Sequence, residues 1–149
     1  MNPNQSISKV MTKELVTVHP DDSVKKIETL FKNNKFHHLP VVEANNELVG
    51  IISKEDFMRL GFVLSLNTTG ETWTKHEFTA WCARDIMTKY PIFLEPEDTL
   101  GLAADMFLAN KFHALPILDD GELVGILTTH DLIAFAFNSP VPQKTKEVI

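Results

Sequence analysis

The chain has 149 residues and a formal net charge of −6, and 44% of its residues are hydrophobic. A chain of this size buries enough surface to fold without disulfides, and the negative charge argues against nucleic acid as the main partner. The single cysteine, Cys82, cannot form an internal disulfide, which favours a reducing, cytoplasmic location. No segment approaches the about 18 apolar residues of a membrane span, and the N-terminal residues lack a signal-peptide core.

The first half of the chain predicts alternating strands and helices. After a polar N-terminus, residues 15–18 are extended and end at a proline, and Ser23 then offers a helix N-cap. Apolar residues at helical spacing predict a helix over 23–33. Residues 36–42 and 47–52 predict a hairpin, in which Pro40 favours a strand near the sheet edge. A second helix is predicted to begin near Ser53.

The second half repeats the first. With a shift of 76 positions, 12 of the 32 residues from Met11 to Val42 are identical, and with a shift of 75, so are 6 of the 10 from Glu47 to Asp56. This pattern indicates an internal duplication, in which two pseudo-symmetric copies bury a shared face.

Two regions lie outside the repeats. Residues 61–82 carry apolar and aromatic side chains, among them Trp73, Phe78 and Trp81, and we interpret them as a partly helical linker packed on the body or on a second subunit. Pro140 and Pro142 end the last helix, so 138–149 is predicted to be a C-terminal tail.

Both copies carry the same short motifs. These are Val-Met-Thr at 10–12 and Ile-Met-Thr at 86–88, His-Leu-Pro-Val-Val at 38–42 and Ala-Leu-Pro-Ile at 114–117, and Gly-Ile-Ile-Ser-Lys-Glu-Asp at 50–56 and Gly-Ile-Leu-Thr-Thr-His-Asp at 125–131. In this order and register they resemble the cystathionine-β-synthase-type (CBS) domain, and the tandem pair resembles a stand-alone Bateman module.

The resemblance implies an α/β (α+β) fold of two pseudo-symmetric β-α-β-β-α repeats packed through their sheets. Repeat 1 would span 7–60 and repeat 2 would span 83–137. It also implies two clefts between the repeats that hold an adenine nucleotide, S-adenosylmethionine or, in some members, a metal ion. Modules of this family usually form a disc-like homodimer, and their protein partners are often unknown.

The segments at 50–56 and 125–131, which we call the Asp56 corner and the Asp131 corner, allow two interpretations. In the first, Ser53 and Thr128 cap a helix, and the aspartate three residues later completes a capping box. In the second, the helix N-terminus attracts phosphate and the carboxylate accepts hydrogen bonds from ribose. The resemblance favours the second interpretation for at least one corner.

The two corners differ in charge. Glu55 occupies the position of His130, and a carboxylate there would repel phosphate, so we expect the Asp131 corner to bind first. Ala114 replaces an arginine that is frequent in family members that hold phosphate tightly. The residues assigned to the Asp131 cleft are Thr128, His130, Asp131, His113, Lys13 and His37. Those assigned to the weaker Asp56 cleft are Ser53, Asp56, His38 and Lys89.

Four histidines could also converge on a metal, namely His37, His38, His113 and His130. Their spacing matches no recognised ligand motif, so we predict no metal site and no cofactor.

Three functions are considered. The first is a regulatory module that binds an adenine nucleotide and signals to a partner, and the second is a structural dimerisation or adaptor module with empty clefts. The third, an enzyme, is rejected because the sequence shows no nucleophile with a matched base and no glycine-rich phosphate loop. Catalytic residues are therefore predicted to be absent.

Overall fold

The computed structural model describes residues 2–66 and 80–138. The two repeats follow the predicted order. The helices are α1 (Val24–Asn33), α2 (Lys54–Leu66), the short α3 (Ala83–Ile86), α4 (Leu100–Ala109) and α5 (Thr129–Asn138). The strands are β1 (His38–Val42), β2 (Leu48–Ser53), β3 (Thr88–Lys89), β4 (Ala114–Asp119) and β5 (Glu122–Thr128). The sequence prediction of a mixed fold with two repeats is therefore confirmed.

Matching local signals set the first helix of each repeat. Ser23 Oγ accepts a hydrogen bond from Lys26 N at 3.2 Å, and Thr99 Oγ1 accepts one from Leu102 N at 3.1 Å. At the other end, the side chain of Asn34 bonds to the carbonyl of the preceding turn of α1. Both helices therefore begin at a hydroxyl cap, which satisfies an amide that the helix itself cannot.

The hairpin β1–β2 is antiparallel, as is β4–β5, and each carries a proline in its first strand. The predicted strand ahead of α1 is reduced to one parallel bridge. In this bridge Val18 N donates to Pro40 O at 3.0 Å, and Val18 O accepts from Val42 N at 2.9 Å. Because Pro40 has no N–H, the ladder cannot extend to the residues before Val18. Leu94 forms the same single bridge with Ile117 in the second repeat.

The segment that precedes each repeat in sequence completes the other repeat in space. Ile7 N donates to Asp98 O at 2.9 Å, and its counterpart Ala83 N donates to Asp22 O at 2.8 Å. The side chain of Ile7 is fully buried in the core of the second repeat. The boundaries at 7–60 and 83–137 stay a prediction for the repeats in sequence, whereas in space the leading segments of the two repeats are exchanged.

Two apolar cores result, joined by a smaller cluster of Leu48, Leu118 and Leu123. At this junction the two hairpins meet near their turns, where Asn46 Nδ2 donates to Leu123 O at 2.8 Å. Trp81 packs against the first core, in agreement with the expectation that linker aromatics cover the body. Helix α2 continues to Leu66, into the segment predicted as a partly helical linker. The predictions for residues 67–79 and 139–149 lie outside the described residues.

Glycines allow the exchanged segments to approach the sheets. Met11 lies over Gly125 and Met87 lies over Gly50, so that a side chain at either glycine would collide with the thioether. Both methionine side chains are partly buried and pack against the two apolar cores.

Replacing Gly125 by alanine should destabilise the protein by about 1–3 kcal/mol. The added Cβ would lie 2.6 Å from Met11 Sδ and 3.2 Å from the carbonyl oxygen of Thr12, which belongs to the backbone and cannot rotate away. Urea unfolding measures the loss. Met11→Ala should restore part of it in the double variant. Gly61→Ala is the control, since outside its own helix no atom of the described residues lies within 4 Å of a Cβ there. Equal stability of Gly125→Ala and wild type would contradict the close approach.

Candidate functional site

The Asp131 corner is a complete capping box. Thr128 N donates to Asp131 Oδ2 at 2.9 Å, and Asp131 N donates to Thr128 Oγ1 at 3.0 Å. The two bonds satisfy amides at the start of α5 and fix the carboxylate in one orientation. The capping interpretation is therefore confirmed, and it does not compete with binding because a carboxylate has further acceptor positions.

Thr12 joins this corner from the exchanged N-terminal segment. Its backbone pairs with Ile126 of β5 through bonds of 2.9 and 3.0 Å, which brings the hydroxyl to 3.4 and 3.5 Å from the two oxygens of Asp131. At these distances the hydroxyl contributes a weak contact. The residues predicted from the sequence include its neighbour Lys13 but not Thr12, although the Met-Thr pair that occurs in both repeats was a signal for Thr12.

Most of the other residues predicted for the Asp131 cleft lie around the same corner. The carbonyl of His113 accepts from Thr129 N at 3.0 Å, so the backbone just before β4 is tied to the start of α5. The side chains of His113, His130 and Lys13 are exposed. His37 differs, because its carbonyl accepts from Lys54 N at 2.7 Å, and this bond places its backbone at the Asp56 corner.

The Asp56 corner has a different electrostatic arrangement. Asp56 N donates to Ser53 Oγ at 3.0 Å, but Asp56 Oδ1 lies 3.3 Å from Arg59 Nη1. The same guanidinium lies 3.2 Å from Glu55 Oε1. Arg59 was not among the residues predicted from the sequence. Its guanidinium offsets the repulsion expected from Glu55 and also forms an ion pair with the carboxylate of Asp56. In the described part of the chain, Asp131 forms no ion pair.

The other residues predicted for the Asp56 cleft are placed there by strand pairing. His38 stands opposite Ser53 in the β1–β2 register, and Lys89 stands opposite Gly50 in the β2–β3 register. Lys89 is exposed, whereas His38 is half-buried.

The half-buried imidazole of His38 has a perturbed pKa. The pKa of His38 is lowered from its ordinary value of 6.5 to about 4, mainly by burial and also by the charges of His37 and His113, while Asp56 opposes the shift. Within residues 2–66 and 80–138, no three side chains of the metal-ligating types come together to hold a metal ion.

A cavity of about 460 Å³ lies beside the Asp56 corner, between α2 and α3. Its walls are mainly apolar, with charged side chains among them. The lining residues are Ile52, Asp56, Phe57, Arg59, Leu60, Trp81, Asp85 and Ile86. On the α3 side, the backbone N–H of Cys82 bonds to the carboxylate of Asp85 and lowers its pKa.

Two hairpins are related by pseudo-symmetry, and each is followed by a helix that starts after a hydroxyl residue and carries an aspartate in its first turn. This arrangement defines a module of two paired repeats. The chain belongs to the CBS domain family, whose sequence model matches residues 7–62 and 83–138.

Relatives of known sequence or structure agree with this assignment. The uncharacterized protein MJ1426 of Methanocaldococcus jannaschii is 30% identical, over 89% of this chain and 92% of its own length. The inosine-5′-monophosphate dehydrogenase of the same organism is also 30% identical, but the chain spans only 22% of that enzyme. The crystal structure of CBSX2 in complex with AMP superimposes with a TM-score of 0.74 at 30% identity, covering 89% of this chain and 96% of the crystallised chain.

The length and hydropathy of a helix determine whether it can span a membrane. Among the described residues, none of the helices is long and apolar enough to cross a membrane.

Proposed function

We propose that the chain is a regulatory module that binds an adenine nucleotide at the Asp131 corner and passes the binding event to a protein partner. The observation that carries the proposal is the carboxylate of Asp131, which Thr128 holds in place and which lies beside the hydroxyl of Thr12. A carboxylate fixed in this way can accept hydrogen bonds from both hydroxyls of a ribose without reorganisation. The AMP complex of CBSX2, at 30% identity, supports the same ligand class.

The phosphate would be met by side chains that surround the corner. Lys13 is exposed next to Thr12, and the imidazoles of His113 and His130 are exposed beside the start of α5. One exposed lysine, Lys13, and a buried alanine at 114 in place of an arginine suit a single phosphate better than a polyphosphate. S-Adenosylmethionine shares the adenosine moiety and is the second candidate ligand.

The exchanged segment provides a route from ligand to partner. Thr12 directly follows Met11, which packs over Gly125. Earlier in the same segment, Ile7 is hydrogen-bonded to the second repeat. A ligand held between Thr12 and Asp131 would fix this segment against α5 and change the relative position of the repeats. By linkage, a partner that recognises the changed form must raise the affinity for the nucleotide by the same factor.

The other interpretations stay predictions. An adaptor module with empty clefts is the alternative function, and it is favoured by the exposed apolar side chains on the helices of the second repeat. The absence of enzymatic activity, the cytoplasmic location, the homodimer and the unknown protein partner also stay predictions.

A thermal-shift screen tests the proposal. AMP, ADP, ATP, adenosine, S-adenosylmethionine and NADH should be compared at concentrations up to the millimolar range. A ligand present at about 100 times its dissociation constant stabilises the folded state by about 2.7 kcal/mol, which raises the melting temperature by several degrees. We expect AMP to produce such a shift and adenosine a smaller one. If no adenine compound produces a shift, the adaptor function is favoured instead.

A further inference from the structure

The two corners hold their aspartates differently. At the Asp131 corner, Thr128 N donates to Asp131 Oδ2 at 2.9 Å and Asp131 N donates to Thr128 Oγ1 at 3.0 Å. At the Asp56 corner, Asp56 N donates to Ser53 Oγ at 3.0 Å, but among the described residues Ser53 N does not donate to the carboxylate of Asp56. The capping box is thus complete in the second repeat and only half formed in the first.

The missing bond leaves an amide of the first repeat without its side-chain acceptor. Lys54 N donates to His37 O at 2.7 Å, which makes these residues a hydrogen-bonded pair at the end of the β1–β2 hairpin. In an antiparallel ladder the next pair, His38 and Ser53, is not hydrogen-bonded. The N–H of Ser53 therefore points out of the hairpin, where the carboxylate of Asp56 is the acceptor that the pseudo-symmetry of the two repeats would provide.

Arg59 accounts for the difference between the corners. Its Nη1 lies 3.3 Å from Asp56 Oδ1, and its Nη2 lies 3.2 Å from Glu55 Oε1, so that one guanidinium bridges two carboxylates on the surface of α2. The residues equivalent to Glu55 and Arg59 in the second repeat are His130 and Ala134. Neither of them can form such a bridge, and so in the described part of the second repeat no cation competes for the aspartate.

The bridge is strong enough to bias the carboxylate of Asp56 but not to fix it. The side chain of Arg59 is 63% exposed and that of Asp56 is 59% exposed, so solvent screens their attraction. Ion pairs three or four residues apart on a helix are comparable in strength to the capping bond that this one replaces. A ribose that needs the same carboxylate oxygens can therefore displace the guanidinium, at a cost in affinity.

We propose that Arg59 is a positioning residue that keeps the carboxylate of Asp56 out of its ribose-binding orientation, so that the chain takes up its first nucleotide at the Asp131 corner. The identity of the ligand rests on the proposed function, whereas the orientation of Asp56 does not. A second nucleotide binds at the Asp56 corner only when it displaces the guanidinium. The two corners then respond to different concentrations of the same ligand.

The amide of Ser53 reports the orientation of Asp56 without any ligand. Arg59→Ala introduces the residue present at position 134 and should return the carboxylate to Ser53 N. We expect hydrogen exchange of this amide, measured by NMR, to become about fivefold slower than in wild type, while exchange of Thr128 N is unchanged. Arg59→Lys keeps a cation on α2 and should resemble wild type.

A further variant separates this effect from a general change in the stability of α2. Asp56→Ala added to Arg59→Ala removes the acceptor and should return the exchange of Ser53 N to the rate in wild type. Equal exchange of Ser53 N in wild type and Arg59→Ala would overturn the proposal. Slow exchange that persists in the double variant would also overturn it, because the carboxylate would then not be responsible.

Adenosine tests the consequence for binding. It carries no phosphate, so its affinity is insensitive to the charge of Glu55. In an Asp131→Asn background, an NMR titration that follows the amide of Ser53 measures binding at the Asp56 corner. Arg59→Ala should raise the affinity for adenosine there by about two- to fivefold, and Arg59→Lys should leave it unchanged.

The outcomes distinguish this inference from the proposed function. If adenosine binds but Arg59→Ala does not raise its affinity at the Asp56 corner, the inference is wrong and the proposed function stands. If wild type binds neither AMP nor adenosine, the proposed function is wrong, and the hydrogen exchange of Ser53 N still decides whether Arg59 positions Asp56.

Discussion

Asp131→Asn should weaken binding of the adenine nucleotide by about 10–100-fold, because hydrogen bonds to a charged acceptor contribute about 1.5–3 kcal/mol. Asparagine keeps an oxygen that can accept from Thr128 N, and so the cap is largely retained and the unfolding free energy should fall by less than about 1 kcal/mol. Isothermal titration calorimetry measures the affinity, and urea unfolding without ligand measures the stability.

The chain contains its own control for this variant. Asp56→Asn changes the equivalent residue of the first repeat, whose carboxylate is paired with Arg59. It should leave the affinity at the Asp131 corner within about threefold of wild type, because this corner is a separate site. If Asp131→Asn loses as much stability as binding energy, its carboxylate is only a helix cap. A larger loss of affinity in Asp56→Asn than in Asp131→Asn would move the site to the cavity beside α2.

Acid should destabilise the protein through His38. Its pKa is about 4 in the folded state, compared with the ordinary value of 6.5 that applies to the unfolded chain. The unfolded chain therefore takes up the proton first as the pH falls. Stability is therefore unaffected by this group above about pH 6.5, is lost between about pH 6.5 and pH 4, and levels off below. This pKa difference corresponds to a loss of about 3 kcal/mol in the free energy of unfolding. Unfolding free energies measured by urea titration at a series of pH values would show the loss.

His38→Ala isolates this contribution. The equivalent position in the second repeat is Ala114, which is buried, so the strand accommodates alanine. The variant should retain its stability between pH 6.5 and pH 4 better than wild type by about the same 3 kcal/mol. Carboxylates such as Asp22, whose pKa is lowered mainly by the backbone N–H of His19 and by Lys26, are common to both proteins and cancel in the comparison. Parallel pH profiles for variant and wild type would show that His38 is not the group responsible.

The internal duplication made much of the fold predictable. Because the chain repeats itself with nearly equal spacing, the helix cap at Ser23, the hairpins and the capping box of Thr128 and Asp131 followed from local signals that the structure reproduces. Such signals depend on residues three or four positions apart, and so they can be recognised without knowing the tertiary structure.

What the sequence did not predict depends on distant contacts. The hydroxyl of Thr12 reaches Asp131 across 119 positions, and only the exchange of the leading segments brings them together. The bond that places His37 at the Asp56 corner is likewise set by the position of β1 beside α2. Arg59 is a different case, because it lies four residues after Glu55 on one helix, and this spacing alone could have revealed the ion pair.

The exchange of leading segments also bears on how such a protein could have arisen. A single repeat with its own leading segment would lack the buried isoleucine and the methionine that the other half now supplies at Ile7 and Met11. An ancestor of one repeat would have had to swap these segments between two separate chains to complete its core. Gene duplication would then have joined an obligate swapped dimer into one polypeptide. Cutting the present chain in the linker would be expected to yield two fragments that fold only when mixed.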